Sequence, residues 1–131
     1  MTTRAEVAYA QEEFNVDVAI DSASINPKTK EVTIYFTVTC SQPAEFADSF
    51  VTVRQSPGIP GLFGPANDKS VVGSAYIQYE CSRETPLSVT VTVKAHAGFF
   101  TSGSALVFAD AFACTAEVCD YATTQEQVKL S

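Results

Sequence analysis

The stretch from Glu31 to Cys40 constrains the fold more than any other part of the chain. Its apolar residues are Val32, Ile34, Phe36, Val38 and Cys40, and each is separated from the next by a threonine or a tyrosine. A helix would spread these side chains around its cylinder, whereas an extended strand places all of them on one face. The stretch therefore predicts a half-buried β-strand that packs against a second layer.

Other parts of the chain repeat this two-residue period. The first predicted strand begins at Phe14 and ends in a polar turn near Asn26. The others cover residues 32–40, 50–55, 71–81, 87–95 and 105–114, and a last strand ends near Leu130. Residues 105–114 are apolar on both faces, which predicts a strand with little solvent exposure. About seven strands with turn signals between them and no helical period predict an all-β fold, an antiparallel immunoglobulin-like (Greek-key) β-sandwich. The chain has no tryptophan, so a different Greek-key order of the same two layers stays open.

Length and composition indicate one globular domain. The chain has 131 residues, of which 46% are hydrophobic and 18% charged, and no run approaches the roughly 20 apolar residues of a membrane span. We assign residues 14–131 to a single β-sandwich domain. Residues 1–13 are interpreted as an N-terminal tail or leader remnant, because Ala8-Tyr9-Ala10 has the form of a signal-peptidase site.

The charge balance argues against nucleic acid as a partner. Eight basic and fifteen acidic side chains give a net charge of -7, and the basic residues are dispersed along the chain. Phosphate backbones require a concentrated positive surface, which this sequence does not offer.

Four cysteines in a small β-rich chain predict disulfides and an oxidising, extracellular location. Three pairings are possible. We favour Cys40 with Cys81, because each ends an alternating strand in the inward phase, and Cys114 with Cys119, because they are close in sequence. The longer bridge encloses more chain and contributes more to stability, about 4 kcal/mol against about 2 kcal/mol.

Metal and catalytic sites find little support in the sequence. Zinc would require paired cysteine or histidine ligands, but no CxxC pair occurs and His96 is the single histidine. Glu117, Asp120 and Asp110 lack the spacing of a calcium loop. His96 is expected to point outward from a strand end, and no nucleophile elbow or phosphate-binding glycine motif is present. We predict no enzymatic activity, no catalytic residue, no cofactor and no metal.

Asp110 interrupts the apolar segment 105–114 and has two possible interpretations. It is either a buried carboxyl group with a raised pKa or an outward residue beside Phe108 and Phe112. We favour the outward position.

Several segments together resemble small secreted bacterial domains of unknown function, found mainly in actinomycetes. The segments are Val32 to Cys40, Tyr79-Glu80-Cys81, residues 87–95, residues 98–105 and Val128-Lys129-Leu130. A weaker likeness is to the apoproteins of neocarzinostatin-type chromoproteins, which are sandwiches of similar size with two disulfides, one in a short Cys-x4-Cys loop. The first resemblance implies a secreted domain, and the second implies carriage of an apolar small molecule as an alternative function.

Two apolar segments are candidates for binding. The Pro- and Gly-rich loop 56–69 carries Ile59, Leu62 and Phe63, and its restricted backbone would lose little entropy on docking. Phe99 and Phe100 form a second pair, of which one is expected in the core and one exposed. The alternative is that the loop side chains cap an open end of the sandwich.

We therefore predict a secreted, non-enzymatic module that acts through surface interactions with a protein or surface partner, in adhesion, in the envelope or in protein binding. The alternatives are a self-assembling filament or surface-layer subunit, in which residues 1–13 lie on the next copy, and a carrier of an apolar small molecule.

Overall fold

The computed structural model describes residues 14–56, 70–81 and 86–131, and these form an all-β structure with seven antiparallel strands. The strands are β1 (Val16–Ile25), β2 (Val32–Cys40), β3 (Ala44–Gln55), β4 (Val71–Cys81), β5 (Leu87–Ala95), β6 (Gly103–Cys114) and β7 (Cys119–Leu130). The all-β prediction is confirmed. In this part of the chain no helix is long and apolar enough to cross a membrane.

The strands form one nearly closed sheet in the order β1-β2-β5-β4-β3-β6-β7. Pairing is extensive within two groups of strands, β1-β2-β5 and β4-β3-β6-β7, which we call the two sides of the sheet. The free edges of β1 and β7 approach each other, and the backbone N–H of Val16 donates to Oδ2 of Asp120 at 2.9 Å. All pairings are antiparallel. β4, β3, β6 and β7 are successive hydrogen-bonded neighbours, so their outer face is one continuous surface.

The two sides join where β4 meets β5, and this joint is narrow. Only Gly73 with Ala95 and Ser74 with Lys94 pair there among the described residues. A Cβ atom on Gly73 would lie 2.4 Å from the backbone oxygen of Lys94. The joint therefore requires glycine because the backbones approach closely there, and not because of an unusual backbone angle.

The alternating residues of β2 form the centre of the core, as predicted. All five inward residues of the strand have no exposed surface: Val32, Ile34, Phe36, Val38 and Cys40. They pack with the buried alternate residues of β5 and with Val51 and Val53 of β3. The two-residue period thus identified the buried face of β2 correctly.

Both disulfides have the predicted pairing. Cys40 of β2 is bonded to Cys81 of β4 inside the core, and these two strands are not hydrogen-bonded neighbours. Cys114 and Cys119 occupy facing positions of β6 and β7 and close the hairpin between them. The described residues contain no free cysteine. Two disulfides fit an oxidising environment.

Two strand predictions were wrong in detail. β3 begins at Ala44, several residues before the predicted 50–55. The prediction missed the first half of this strand because that half is polar on one face and irregular in register near Ala44. β6 is not shielded from solvent on both faces, because Phe108 is 39% exposed. Alanine and valine fill the inward positions of β6, and its phenylalanines therefore point outward: Ala105, Val107, Ala109, Ala111 and Ala113 are buried.

One buried polar side chain ties the end of β3 to the segment before β6. Gln55 is 3% exposed, and its Nε2 donates to the backbone oxygens of Thr101 and Ser104 at 2.8 and 3.2 Å. Its Oε1 accepts from the Thr101 N–H at 2.9 Å. The amide is thus paired at both ends, which is what burial of a polar group requires.

Candidate functional site

Aromatic side chains are concentrated on the outer surface of the β4-β3-β6-β7 side. We call this surface the aromatic face and define it by six residues: Phe46, Phe50, Tyr76, Phe108, Phe112 and Tyr121. Five of them are between 39% and 57% exposed, and Phe112 is half-buried. Large apolar side chains are usually scattered on a protein surface, so their cluster on one face makes this surface the candidate functional site.

The strand register brings these residues together. Phe50 faces Tyr76 across the β3-β4 pair, and Phe112 faces Tyr121 across the β6-β7 pair. The rings of Phe46 and Phe112 meet edge to face with centroids 6.2 Å apart. Inward positions on the same strands hold small or β-branched residues, which leaves the outward positions to the rings.

Asp110 lies on the aromatic face between Phe108 and Phe112, in the outward position that the sequence favoured. Its Oδ1 accepts a hydrogen bond from the Phe50 backbone N–H at 2.8 Å, and its Oδ2 accepts from the Tyr121 hydroxyl at 3.1 Å. The negative charge of Asp110, with smaller contributions from burial and the hydrogen bond, raises the pKa of Tyr121 above 10.0. The backbone N–H and the phenol thus fix the carboxylate from two sides.

A second carboxylate repeats this arrangement nearer to β4. The Tyr76 hydroxyl donates to Oδ2 of Asp48 at 2.7 Å and accepts from Nε2 of Gln78 at 3.1 Å. The hydrogen bond to Asp48 is the largest cause that raises the pKa of Tyr76. The aromatic face thus combines rings with two positioned acidic groups.

A pocket of about 180 Å³ opens at the centre of the aromatic face. Phe50, Phe108 and Tyr121 contribute rings from three neighbouring strands, and Asp110 contributes its carboxylate. The remaining lining residues are Thr52, Ala109, Thr123 and Thr124. A second hollow of about 280 Å³ lies beside Phe46 and Tyr79 and includes two glutamates, Glu45 and Glu80.

The predicted binding residues are only partly described. Ile59, Leu62 and Phe63 lie outside the described residues, and so do residues 1–13, on which the self-assembly hypothesis depends. Phe100 is fully buried and Phe99 is 58% exposed. Phe99 belongs to the connection between β5 and β6 and does not line the central pocket.

The polar candidates are dispersed. His96 is exposed, and its Nε2 lies 3.1 Å from Oγ of Ser74. Asp120 accepts the Val16 N–H, and Asp110 is engaged on the aromatic face. Within residues 14–56, 70–81 and 86–131 there is no group of three metal-binding side chains.

Sequence reasoning missed most of the aromatic face. Phe108, Asp110 and Phe112 follow one another at every second position, with alanines between them, and this was the available signal. It was interpreted as a strand buried on both sides. An aspartate in the row of large residues and alanines in the other row favour the opposite assignment, because a charged group prefers the solvent side.

Neither a protein-family model nor a curated protein matches this sequence. The likenesses to actinomycete domains and to neocarzinostatin-type apoproteins therefore remain predictions.

Proposed function

We propose that this protein is a secreted, non-enzymatic module that binds a protein or surface partner through its aromatic face. The observation that carries the proposal is the clustering of six aromatic side chains on one sheet surface, five of them between 39% and 57% exposed. Aromatic residues dominate the energetics of interfaces because each presents a large rigid area.

The exposed rings supply enough area for specific binding. A half-exposed ring offers on the order of 100 Å² to a partner, and burial of that area contributes roughly 2 kcal/mol. Several such rings together offset the roughly 4 to 15 kcal/mol that association costs in lost freedom. Asp48 and Asp110 add directional hydrogen-bond acceptors among the rings, which favours a specific partner over nonspecific adsorption.

Secretion and the finer fold class belong to the same proposal. The two disulfides support an extracellular location, and the resemblance to small bacterial domains supports a bacterial origin. The strand order β1-β2-β5-β4-β3-β6-β7 supports an immunoglobulin-like Greek-key sandwich, because β5 returns beside β2 and β6 returns beside β3.

A matched pair of variants tests the proposal. In the first variant Phe50, Phe108 and Tyr121 are replaced by serine, and in the second Tyr35 and Val118 are replaced by serine. Tyr35 and Val118 are 42% and 43% exposed but do not belong to the aromatic face. Both variants are compared with the wild type for retention of partners from the envelope and medium of the producing cells.

The first variant is expected to lose at least tenfold in binding, and the second to bind as the wild type does. Circular dichroism establishes that both are folded. Equal binding by the wild type and the first variant would show that the aromatic face is not the interaction surface.

A further inference from the structure

The central pocket of the aromatic face combines three aromatic rings with one fixed carboxylate. We propose that this pocket binds an organic quaternary ammonium group, with the rings of Phe50, Phe108 and Tyr121 around the cation and Asp110 as its counter-charge. This inference rests on the proposed function, because it gives the aromatic face a ligand chemistry.

The rings provide the attraction. The π face of an aromatic ring is negative, and a cation within about 6 Å of the ring centre is attracted to it. Phe50, Phe108 and Tyr121 come from β3, β6 and β7, so they approach the pocket from three neighbouring strands. Exposed fractions of 48%, 39% and 57% show that each ring keeps a large accessible surface.

The charges around the pocket select a cation. Asp110 is the one charged side chain among the eight residues that line it, and none of the eight is basic. An anion would be repelled, and a neutral apolar ligand would remove water from the carboxylate without compensation. The net charge of -7 raises the local concentration of cations further.

The hydrogen bonds favour a quaternary ammonium group over a primary one. A primary ammonium carries three donors that need acceptors. Each oxygen of Asp110 already accepts one hydrogen bond, from the Phe50 N–H or from the Tyr121 hydroxyl, which leaves about two acceptor sites on the carboxylate for those three donors. A trimethylammonium group has no donor, and its methyl groups match the ring surfaces.

The size of the pocket agrees with a small head group. Its volume of about 180 Å³ lies below that of drug-sized pockets, which is roughly 300 to 1,000 Å³. It is close to the roughly 150 Å³ of an engineered cavity that accepts benzene. A trimethylammonium group is of comparable size to benzene, so the head enters the pocket while the rest of a choline-like ligand remains outside.

Choline chloride is the probe for the central experiment, and the neutral control is its carbon isostere 3,3-dimethylbutan-1-ol. Binding is followed by amide chemical shifts in nuclear magnetic resonance titrations of the full chain at constant ionic strength. We expect choline to bind with a Kd on the order of 1 mM and at least tenfold more tightly than the neutral isostere. The largest shifts are expected at Phe50, Phe108 and Tyr121.

Three substitutions locate the site. Asp110→Asn preserves the shape of the side chain and an acceptor for the Phe50 N–H, and it should weaken choline binding at least fivefold. Phe108→Leu should weaken it at least threefold, whereas Tyr35→Leu on β2 should leave it unchanged. Equal affinity for choline and the neutral isostere, or full binding by the Asp110→Asn variant, would overturn the inference.

Vesicles distinguish the two sources of the head group. Binding to phosphatidylcholine vesicles that free choline reverses would assign a lipid head group, and choline binding without vesicle binding would assign a soluble cation. If choline does not bind while the serine variant of the aromatic face still loses its partner, this inference fails and the proposed function stands.

Discussion

Replacement of Cys40 and Cys81 by alanine should lower the free energy of unfolding by at least 4 kcal/mol at 25 °C. The bridge joins residues 41 apart in sequence. Loss of a cross-link of this length returns roughly 13 cal/mol/K of entropy to the unfolded chain, which amounts to about 4 kcal/mol. Cys40 and Cys81 are 0% and 2% exposed, so the lost sulfur atoms leave a cavity that destabilises the fold further.

The second disulfide is the matched control. Cys114 and Cys119 are only 5 residues apart, so the same reasoning gives about 2 kcal/mol for their replacement by alanine. Cys119 is exposed and Cys114 is half-buried, so little cavity is added. The ratio of the two effects therefore tests whether loop length and burial determine the contribution of each bridge.

Urea unfolding followed by circular dichroism measures both effects. With a slope of roughly 2 kcal/mol/M for a domain of this size, the Cys40/Cys81 variant should unfold at a midpoint about 2 M lower than the wild type. The Cys114/Cys119 variant should shift by about 1 M. The reasoning is refuted if the short bridge contributes as much as the long one, because neither enclosed length nor burial would then explain the stabilisation.

Three further predictions concern single residues. Gly73→Ala should lower the free energy of unfolding by roughly 1 to 3 kcal/mol in the same urea assay, because the added methyl group would clash with the backbone oxygen of Lys94. An unchanged free energy of unfolding would mean that β4 and β5 can move apart without an energetic cost. Gln55→Leu should lower the free energy of unfolding by roughly 1 to 3 kcal/mol, because it removes the hydrogen bonds to the segment before β6. Gln78→Leu, on the exposed surface, is the control and should change it by less than about 0.5 kcal/mol. Equal effects of the two substitutions would contradict the role of burial. Burial, the largest cause, raises the pKa of Tyr79 above 10.0, so the folded state keeps this proton when the unfolded state has lost it. The contribution of Tyr79 to the free energy of unfolding should therefore fall as the pH rises above about 10, and Tyr79→Phe should reduce the loss of stability there. An identical pH profile for the variant in this range would refute the assignment.

The core was predictable because one face of its strands is apolar and the other is not. β2 alternates valine, isoleucine and phenylalanine with threonine, so its period identified both the strand and the buried side. The same period placed Cys40 and Cys81 on inward faces and predicted their pairing. β7 offers no such signal, since Asp120 to Lys129 is mostly polar, and only its apolar end was predicted.

The aromatic face was not predictable because its residues are distant in sequence. Phe50 and Asp110 are 60 residues apart, and only the pairing of β3 with β6 brings them together. A strand with apolar residues on both faces is compatible with full burial and with an exposed binding surface. The position of Asp110 indicates which row of β6 faces outward, but the local pattern does not show which other rings join that row, because this depends on which strands are neighbours.

Stability and binding are separable in this protein because β3 and β6 place them on opposite faces. Val51, Val53 and Ala109 point into the core, whereas Phe50 and Phe108 point outward and leave 48% and 39% of their surface exposed. Substitution of outward residues away from caps and buried bonds usually changes stability by less than about 0.5 kcal/mol. Asp110 is the exception on this face, because its carboxylate binds the backbone of Phe50. Variants of Phe50 and Phe108 should therefore lose binding while they remain folded, and the Asp110→Asn variant needs its own stability measurement before its affinity is interpreted.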